Sequence, residues 1–226
     1  MANPNATSKA TRINQREGRT ATREIRRQQL IDATIESISK YGISGTTMAT
    51  VTRLAGLSLG IVNFHFESKE KLFEETLRYL AEEHRDYWLK EFRKDGMSAP
   101  DRLLAIVDSE FHPDICSRKK LTVWTAFYGE AGYRASYRKI MTEMDTERWE
   151  TTKNLCETII QEGGYKGLDA GAVADTLEGL HDGFCLNIMI YPGEFGVEDA
   201  KARVRAYLTT AFPKHFEMPE QPCLQG

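Results

Sequence analysis

The twenty-one residues from Thr46 to Phe66 constrain the chain more than any other stretch. Thr46 or Thr47 can cap a helix, because a hydroxyl there accepts a free backbone N–H. Val51, Leu54 and Ala55 then fall at i, i+3 and i+4, one apolar face of a helix. Gly56 follows, where a left-handed residue ends a helix without a Cβ penalty. Ser58 can cap a second helix running from Leu59 to about His65. A helix, a glycine turn and a second helix with few large apolar residues at its start make the helix-turn-helix pattern of DNA readers. Other helical hairpins share part of this pattern, so the surrounding chain has to decide.

Charge supplies the first test. The formal net charge is −3, an unfavourable total for a chain that meets phosphate, but it is unevenly spread. Residues 1–27 carry seven basic and two acidic side chains, net +5, and the balance is still +5 at Lys71, which leaves −8 for the remainder. A basic N-terminal third joined to an acidic remainder suits a module that touches phosphates linked to one that does not. With 41% hydrophobic and 28% charged residues, the 226-residue chain reads as one large or two modest globular domains. No apolar run approaches the 18 residues of a membrane span. The first 27 residues lack the apolar stretch of a secretory signal, so a cytoplasmic setting is expected. Cys116, Cys156, Cys185 and Cys223 form no CxxC pair; they read as reduced thiols, the first three packed in helices.

Helical periodicity runs through the rest, and no strand-type alternation of any length interrupts it. Residues 1–21 read as a basic flexible arm whose later arginines can meet phosphate. A first helix spans about Thr22 to Lys40, with Leu30, Ile31, Thr34, Ile35 and Ile38 inward and Tyr41-Gly42 as its end. After the helix-turn-helix, Ser68 caps a long connector helix reaching about Lys94. Further helices are expected at about 100–111, 115–130, 134–162, 169–190 and 197–212, separated by Pro, Gly and Asp-rich breaks. The expected division is therefore an arm at 1–21, a DNA-binding domain at 22–67, a ligand-binding and dimerisation domain at 68–212, and a non-helical tail at 213–226.

With those residues in place, the chain resembles the TetR family of ligand-responsive repressors. The matching signature is Thr46-Thr47, Val51, Leu54-Ala55-Gly56-Leu57-Ser58, Gly60, Phe66, Lys69 and Leu72, in order and in spacing. Arg27 to Ile35, Ser58 to Val62, Val123 to Phe127 and Leu180 to Gly183 are similar to its choline-responsive BetI-like branch. The resemblance implies an all-α fold of about nine helices, with an N-terminal three-helix DNA-binding domain and a C-terminal helical domain for ligand and dimerisation. It implies a cytoplasmic homodimer that binds a double-stranded, roughly palindromic operator and is released by a small effector related to choline or betaine. No cofactor and no membrane are implied. One position departs: the residue that is commonly tyrosine in the family, often on a backbone phosphate, is Asn63 here. Asparagine can still donate to phosphate or to a base edge.

On the DNA side the candidate residues are Arg23, Arg26, Thr47, Ser58, Leu59, Gly60, Ile61, Asn63, Phe64, His65 and Lys69. Gly60 lets backbones approach closely, and Leu59 or Ile61 can touch a thymine methyl. Thr47 and Lys69 sit at helix N-termini, which favour phosphate. Val62 and Phe66 read as core. On the ligand side, seven aromatics fall between Phe111 and Trp149, nearly twice the 10% of the whole chain. Trp124, Phe127, Tyr128 and Trp149, with His181 and Phe184, are the candidate pocket residues, and Glu130 or Asp182 can add polar contacts. An ordinary helical core explains the aromatics equally well. Faces of Trp and Tyr would hold a quaternary ammonium by cation–π attraction.

The five histidines are dispersed and no HExxH, GxSxG or phosphate loop is present, so neither catalysis nor a metal is expected. Dimerisation, as the resemblance implies, would use the last two helices, where Gly179 and Gly183 lie four apart. The competing reading is an all-α ligand-binding or enzymatic protein whose helix-turn-helix is only structural.

Overall fold

A computed structural model describes residues 4–217, with side chains from Thr22 onward. Among these residues all regular structure is helical: α1 (Pro4–Gly45), α2 (Met48–Ala55), α3 (Leu59–His65), α4 (Lys69–Phe92), α5 (Ala99–Glu110), α6 (Arg118–Ala131), α7 (Ala135–Gly163), α8 (Ala170–Ile190) and α9 (Val197–Ala211). The chain divides into two compact units, 1–76 and 77–226. The sequence places the division at 67/68, ahead of α4. Packing divides the chain inside α4, because Leu72, Phe73 and Thr76 on its first two turns are buried.

Helical backbone begins at Pro4, well before the expected start at Thr22. The side chains of residues 1–21, and so the phosphate-reaching role expected of the arm's earlier arginines, lie outside the described residues. The expected break at Tyr41-Gly42 is present as a kink, where Gly42 takes a left-handed φ of 68°. Leu30, Ile31, Ile35 and Ile38 of α1 are buried, as are Val51, Val62 and Phe66. Each such side chain contributes roughly 1.5–3 kcal/mol by leaving water. A buried hydroxyl cluster ties α1 to α2: Ser37 lies 3.1 Å from Thr46 Oγ1 and 3.0 Å from Thr50 Oγ1, and Thr46 donates to the Gly42 carbonyl at 2.8 Å. Thr46 is thus a satisfied core hydroxyl, and Thr47 is the helix cap.

In the second unit a continuous core gathers Trp88, Leu103, Ile106, Phe111, Cys156, Ile159, Val173, Leu177, Val204, Leu208 and Phe212. The helix ends follow local chemistry. Ser98, Ser117 and Asp169 cap α5, α6 and α8 through their side chains. Gly164 ends α7 in the left-handed region, and Tyr165 N–H closes the turn on the Ile160 carbonyl at 3.1 Å. Cys116 departs from its expected helical setting: it lies in the turn between α5 and α6, because residues 111–117 follow the break at His112-Pro113. Residues 213–217 are non-helical, and the rest of the tail lies outside the described residues. No described helix is long and apolar enough to cross a membrane.

Candidate DNA-reading surface and ligand cavity

The head is held in shape by local bonds. Thr47 accepts from Thr50 N–H at 3.1 Å while Thr50 Oγ1 accepts from Thr47 N–H at 2.9 Å, a reciprocal cap that starts α2. Gly56, with φ 64°, ends it. Ser58 stands at the N-cap position of α3, but its hydroxyl makes no cap bond. The expected capping role therefore fails, and the hydroxyl stays on the exposed side of the turn.

Val62 is wholly buried on the inner side of α3, with Phe66 just past its end. Opposite them, Ser58, Leu59, Gly60, Asn63 and Phe64 are exposed, and Ile61 and His65 are half-buried. Leu59 at 53% and Phe64 at 71% exposure are large apolar groups that the protomer leaves in water. The Arg23 guanidinium lies 5.8 Å from the Phe64 ring centroid, which brings the end of the basic run onto the same surface as α3. Arg26 is half-buried and close enough to disfavour charge on His65. Partial burial and then Arg23 hold His65 below its ordinary range, so it is neutral near pH 7. Arg27, not among the candidates, spans to Glu75 and lies over the Phe66 ring at 5.7 Å, a packing role. Lys69 covers the Phe73 ring at 5.1 Å, and Thr47 is exposed.

The second unit contains a cavity of about 410 Å³, within the range that encloses a small molecule. Helix α6 gives it Trp124, Thr125 and Tyr128; α8 gives His181, Asp182 and Cys185. Trp124 and Tyr128, one turn apart, have ring centroids 5.9 Å apart at 30° and form an aromatic wall. Three expected pocket residues thus meet: Trp124, Tyr128 and His181. The other three do not line it. Phe127 is wholly buried and packs edge-on against Tyr137 at 5.2 Å. Trp149 donates its indole N–H to Asp175 at 2.7 Å. Phe184 lies against Phe195 at 5.5 Å. Glu130 is paired with Arg134 at 2.9 Å and also lies outside, whereas Asp182 is in the wall.

Behind the wall stands a buried charge cluster. Arg148 bonds Glu178 at 2.9 Å and Glu110 at 3.0 Å, with Asp145 at 3.4 Å and His84 Nδ1 at 3.3 Å. His84 and His181 stack at 5.9 Å, nearly parallel. Burial, then Arg148, pushes His84 well below its ordinary range, so it is neutral. Burial opposes charge on His181 too, but the Glu110 and Asp182 carboxylates push it up to about 9. Near neutral pH the surroundings therefore hold two positive side chains, Arg148 and His181, against four carboxylates at 110, 145, 178 and 182. Burial raises Glu110 and Asp145 above the ordinary carboxylate range, which lessens that excess. Among the described residues, no group of three or more His, Cys, Asp or Glu is arranged to hold a metal.

Two family descriptions match this chain. Residues 30–76 match "Bacterial regulatory proteins, tetR family", and residues 99–213 match "BetI-type transcriptional repressor, C-terminal". The HTH-type transcriptional regulator BetI of Burkholderia thailandensis is 33% identical over 82% of this chain and 93% of that relative. This chain belongs to the TetR family. It is a DNA-binding transcriptional regulator with a BetI-type C-terminal domain, not an enzyme, and the reading of a purely structural helix-turn-helix falls with that match. The fold agrees. A transcriptional regulator from Pseudomonas aeruginosa superposes with a TM-score of 0.76 at 23% identity, covering 85% of this chain and 93% of that one. A regulator from Saccharomonospora viridis, solved in complex with choline, gives 0.72 at 19% identity, covering 80% and 94%.

For this TetR-family regulator, the residues that sequence reasoning missed are those of the charge cluster. Positions 84, 110, 145, 148 and 178 lie on four different helices, so no spacing joins them before the chain folds. Met144 and Cys185 in the cavity wall were missed for the same reason.

Proposed function

We propose that this protein is a homodimeric, cytoplasmic repressor that leaves a two-fold operator when a small quaternary ammonium compound, choline or a close relative, binds the cavity of each protomer. The observation that carries the reading is the cavity itself: an aromatic wall of Trp124 and Tyr128 with Asp182 in the same lining, within a net acidic surrounding. A permanent cation gains from both features, by attraction to ring faces and by Coulomb attraction to the carboxylates. An anionic effector would meet the opposite field. The choline complex of the Saccharomonospora viridis regulator supports the same ligand chemistry.

On the DNA side, Ser58, Leu59, Gly60, Ile61, Asn63 and Phe64 read the major groove, while Arg23, Arg26, Thr47 and Lys69 meet phosphate. His65 is neutral and stands edge-on to Phe64 at 5.2 Å, which favours a supporting part for it. The two activities are joined by linkage: an effector that favours a spacing of the two reading helices unsuited to the half-sites weakens DNA binding, and DNA weakens effector binding equally.

Calorimetric titration of the full chain with choline tests the effector. Binding in the micromolar to millimolar range is expected, weakened about tenfold or more by Asp182→Asn, which is about 1.4 kcal/mol. Trp124→Ala should cost about 2 kcal/mol if the ring face is desolvated against the cation. No heat change at millimolar choline removes the effector reading and leaves the regulator intact.

A further inference from the structure

Two thiols stand together at the edge of the cavity. Cys116, in the turn before α6, and Cys185, on α8, have their sulfurs 3.8 Å apart. Cys116 is buried; Cys185 is half-buried and part of the cavity wall, so a small polar oxidant in the cavity meets Cys185, with the Cys116 sulfur next to it rather than in the wall. The His181 ring, through Nε2, lies 3.4 Å from Cys185 Sγ. We propose that Cys116 and Cys185 are a redox-active dithiol that closes to an intramolecular disulfide under a peroxide oxidant and reopens under a thiol reductant.

The chemistry balances within the pair. Ionised Cys116 attacks hydrogen peroxide, cleaving its O–O bond to give a sulfenic acid and hydroxide. Cys185 sulfur then attacks the Cys116 sulfur and expels the sulfenic oxygen as water, which takes the Cys185 proton, and the proton released when Cys116 ionised neutralises the hydroxide. Overall, two thiols and one peroxide give one disulfide and two waters. The order of attack follows the surroundings: the Cys185 S–H stabilises a thiolate on Cys116 and holds it below the ordinary thiol range, with the positive His181 adding to this. Cys156 is the internal contrast. It is wholly buried in the same core, where burial pushes its thiol up to about 12.

Closure has a consequence for the cavity. A disulfide draws sulfurs to about 2.0 Å, so one or both sulfurs must move, and any shift of Cys185 Sγ alters the cavity wall and its contact with His181. The bond also ties the turn leading into α6, which carries Trp124 and Tyr128, to α8, which carries His181 and Asp182. Oxidation and effector binding therefore act on the same two elements.

The full reduced chain, treated with stoichiometric hydrogen peroxide, alkylated and digested with trypsin, reads the bond directly. Residues 103–118 and 167–201 each form one tryptic peptide with a single cysteine. A linked pair, lighter by two hydrogen atoms and released by dithiothreitol, is expected, with two of the four thiols lost. Cys116→Ser and Cys185→Ser should each abolish it; Cys116→Ala serves if the buried serine unfolds the chain. Both thiols remaining free, or linkage instead to Cys156, to Cys223 or between chains, overturns the proposal. Choline titration of reduced and oxidised chain reads the consequence, and this arm alone rests on the effector reading. An affinity changed threefold or more is expected; equal affinities overturn the link to the cavity even where the bond has formed.

Discussion

Gly60 shows what a single residue would contribute to the proposed reading surface. Its backbone is ordinary helix, and a Cβ built there meets nothing closer than Ser58 Oγ at 3.9 Å. The fold has no use for the missing side chain. Replacing glycine by alanine within a helix stabilises it by roughly 0.8–1.0 kcal/mol in general. Gly60→Ala should therefore raise or preserve the melting temperature while weakening operator binding about tenfold or more, because on the proposed reading of α3 the added methyl stands where a DNA backbone or base edge approaches. Unchanged affinity in a gel-shift titration would mean that α3 does not approach DNA at this point. Much of the head was legible because its signals are local: Thr47, Gly56, Val62 and Phe66 act within one or two turns of themselves. Ser58 was misread as a cap because a cap bond depends on hydroxyl direction, which sequence position does not settle. The aromatic residues show the same limit at longer range. Trp124 and Phe127 are three positions apart on α6, yet one faces the cavity and the other packs on Tyr137.

At the scale of elements, the second unit depends on how α5, α7 and α8 share one guanidinium. Arg148 on α7 is only 3% exposed and serves Glu110 of α5 and Glu178 of α8 together. Arg148→Met should destabilise the chain by about 3–5 kcal/mol, since it leaves buried carboxylates without their partner. Chemical denaturation checks this, and the loss should shrink as pH falls into the carboxylate range, where protonation removes the uncompensated charge. A loss independent of pH would point to packing instead. The same field gives the proposed cationic effector a pH dependence. His181 is held at about 9 against an ordinary 6.5, so its positive charge persists through neutral pH and opposes an incoming cation. Choline affinity should accordingly rise with pH from 7 through 9 as that proton leaves, and His181→Gln should flatten the profile. Affinity falling over this window would assign His181 a different protonation. Apart from His181 and Asp182, which the sequence placed at the pocket, this cluster was not legible beforehand, because its other members are scattered from position 84 to 178 and each alone looks like a surface charge or a core histidine.

For the whole molecule, the proposed dimer needs a face on which one protomer can meet a second. Helix α8 buries Val173, Ala174, Leu177 and His181 on one side. Its other side leaves Gly179, Gly183, Leu186 and Ile190 exposed at spacings of four, three and four. Leu186 and Ile190 are 41% and 54% exposed, and a Cβ at either glycine would meet nothing within 4 Å in the protomer. An apolar stripe with small residues at one end suits close approach of a second helix, and a two-fold dimer would place the same stripe of its partner there. The expectation of dimerisation through α8 and α9 therefore rests on a face that the protomer leaves largely exposed, with Leu186 also at the edge of the cavity. Gly183→Glu separates the possibilities, because it inserts a charge that a solvated helix accepts and a helix pair does not. If α8 pairs with its mate, the variant should keep the protomer's helical signal and melting behaviour while sedimenting as a monomer at concentrations where the parent is a dimer. Operator binding should weaken in step and become steeply dependent on protein concentration, since two heads must then be gathered on one site by mass action. A variant that remains dimeric, with unchanged operator affinity, would move the interface off this face of α8.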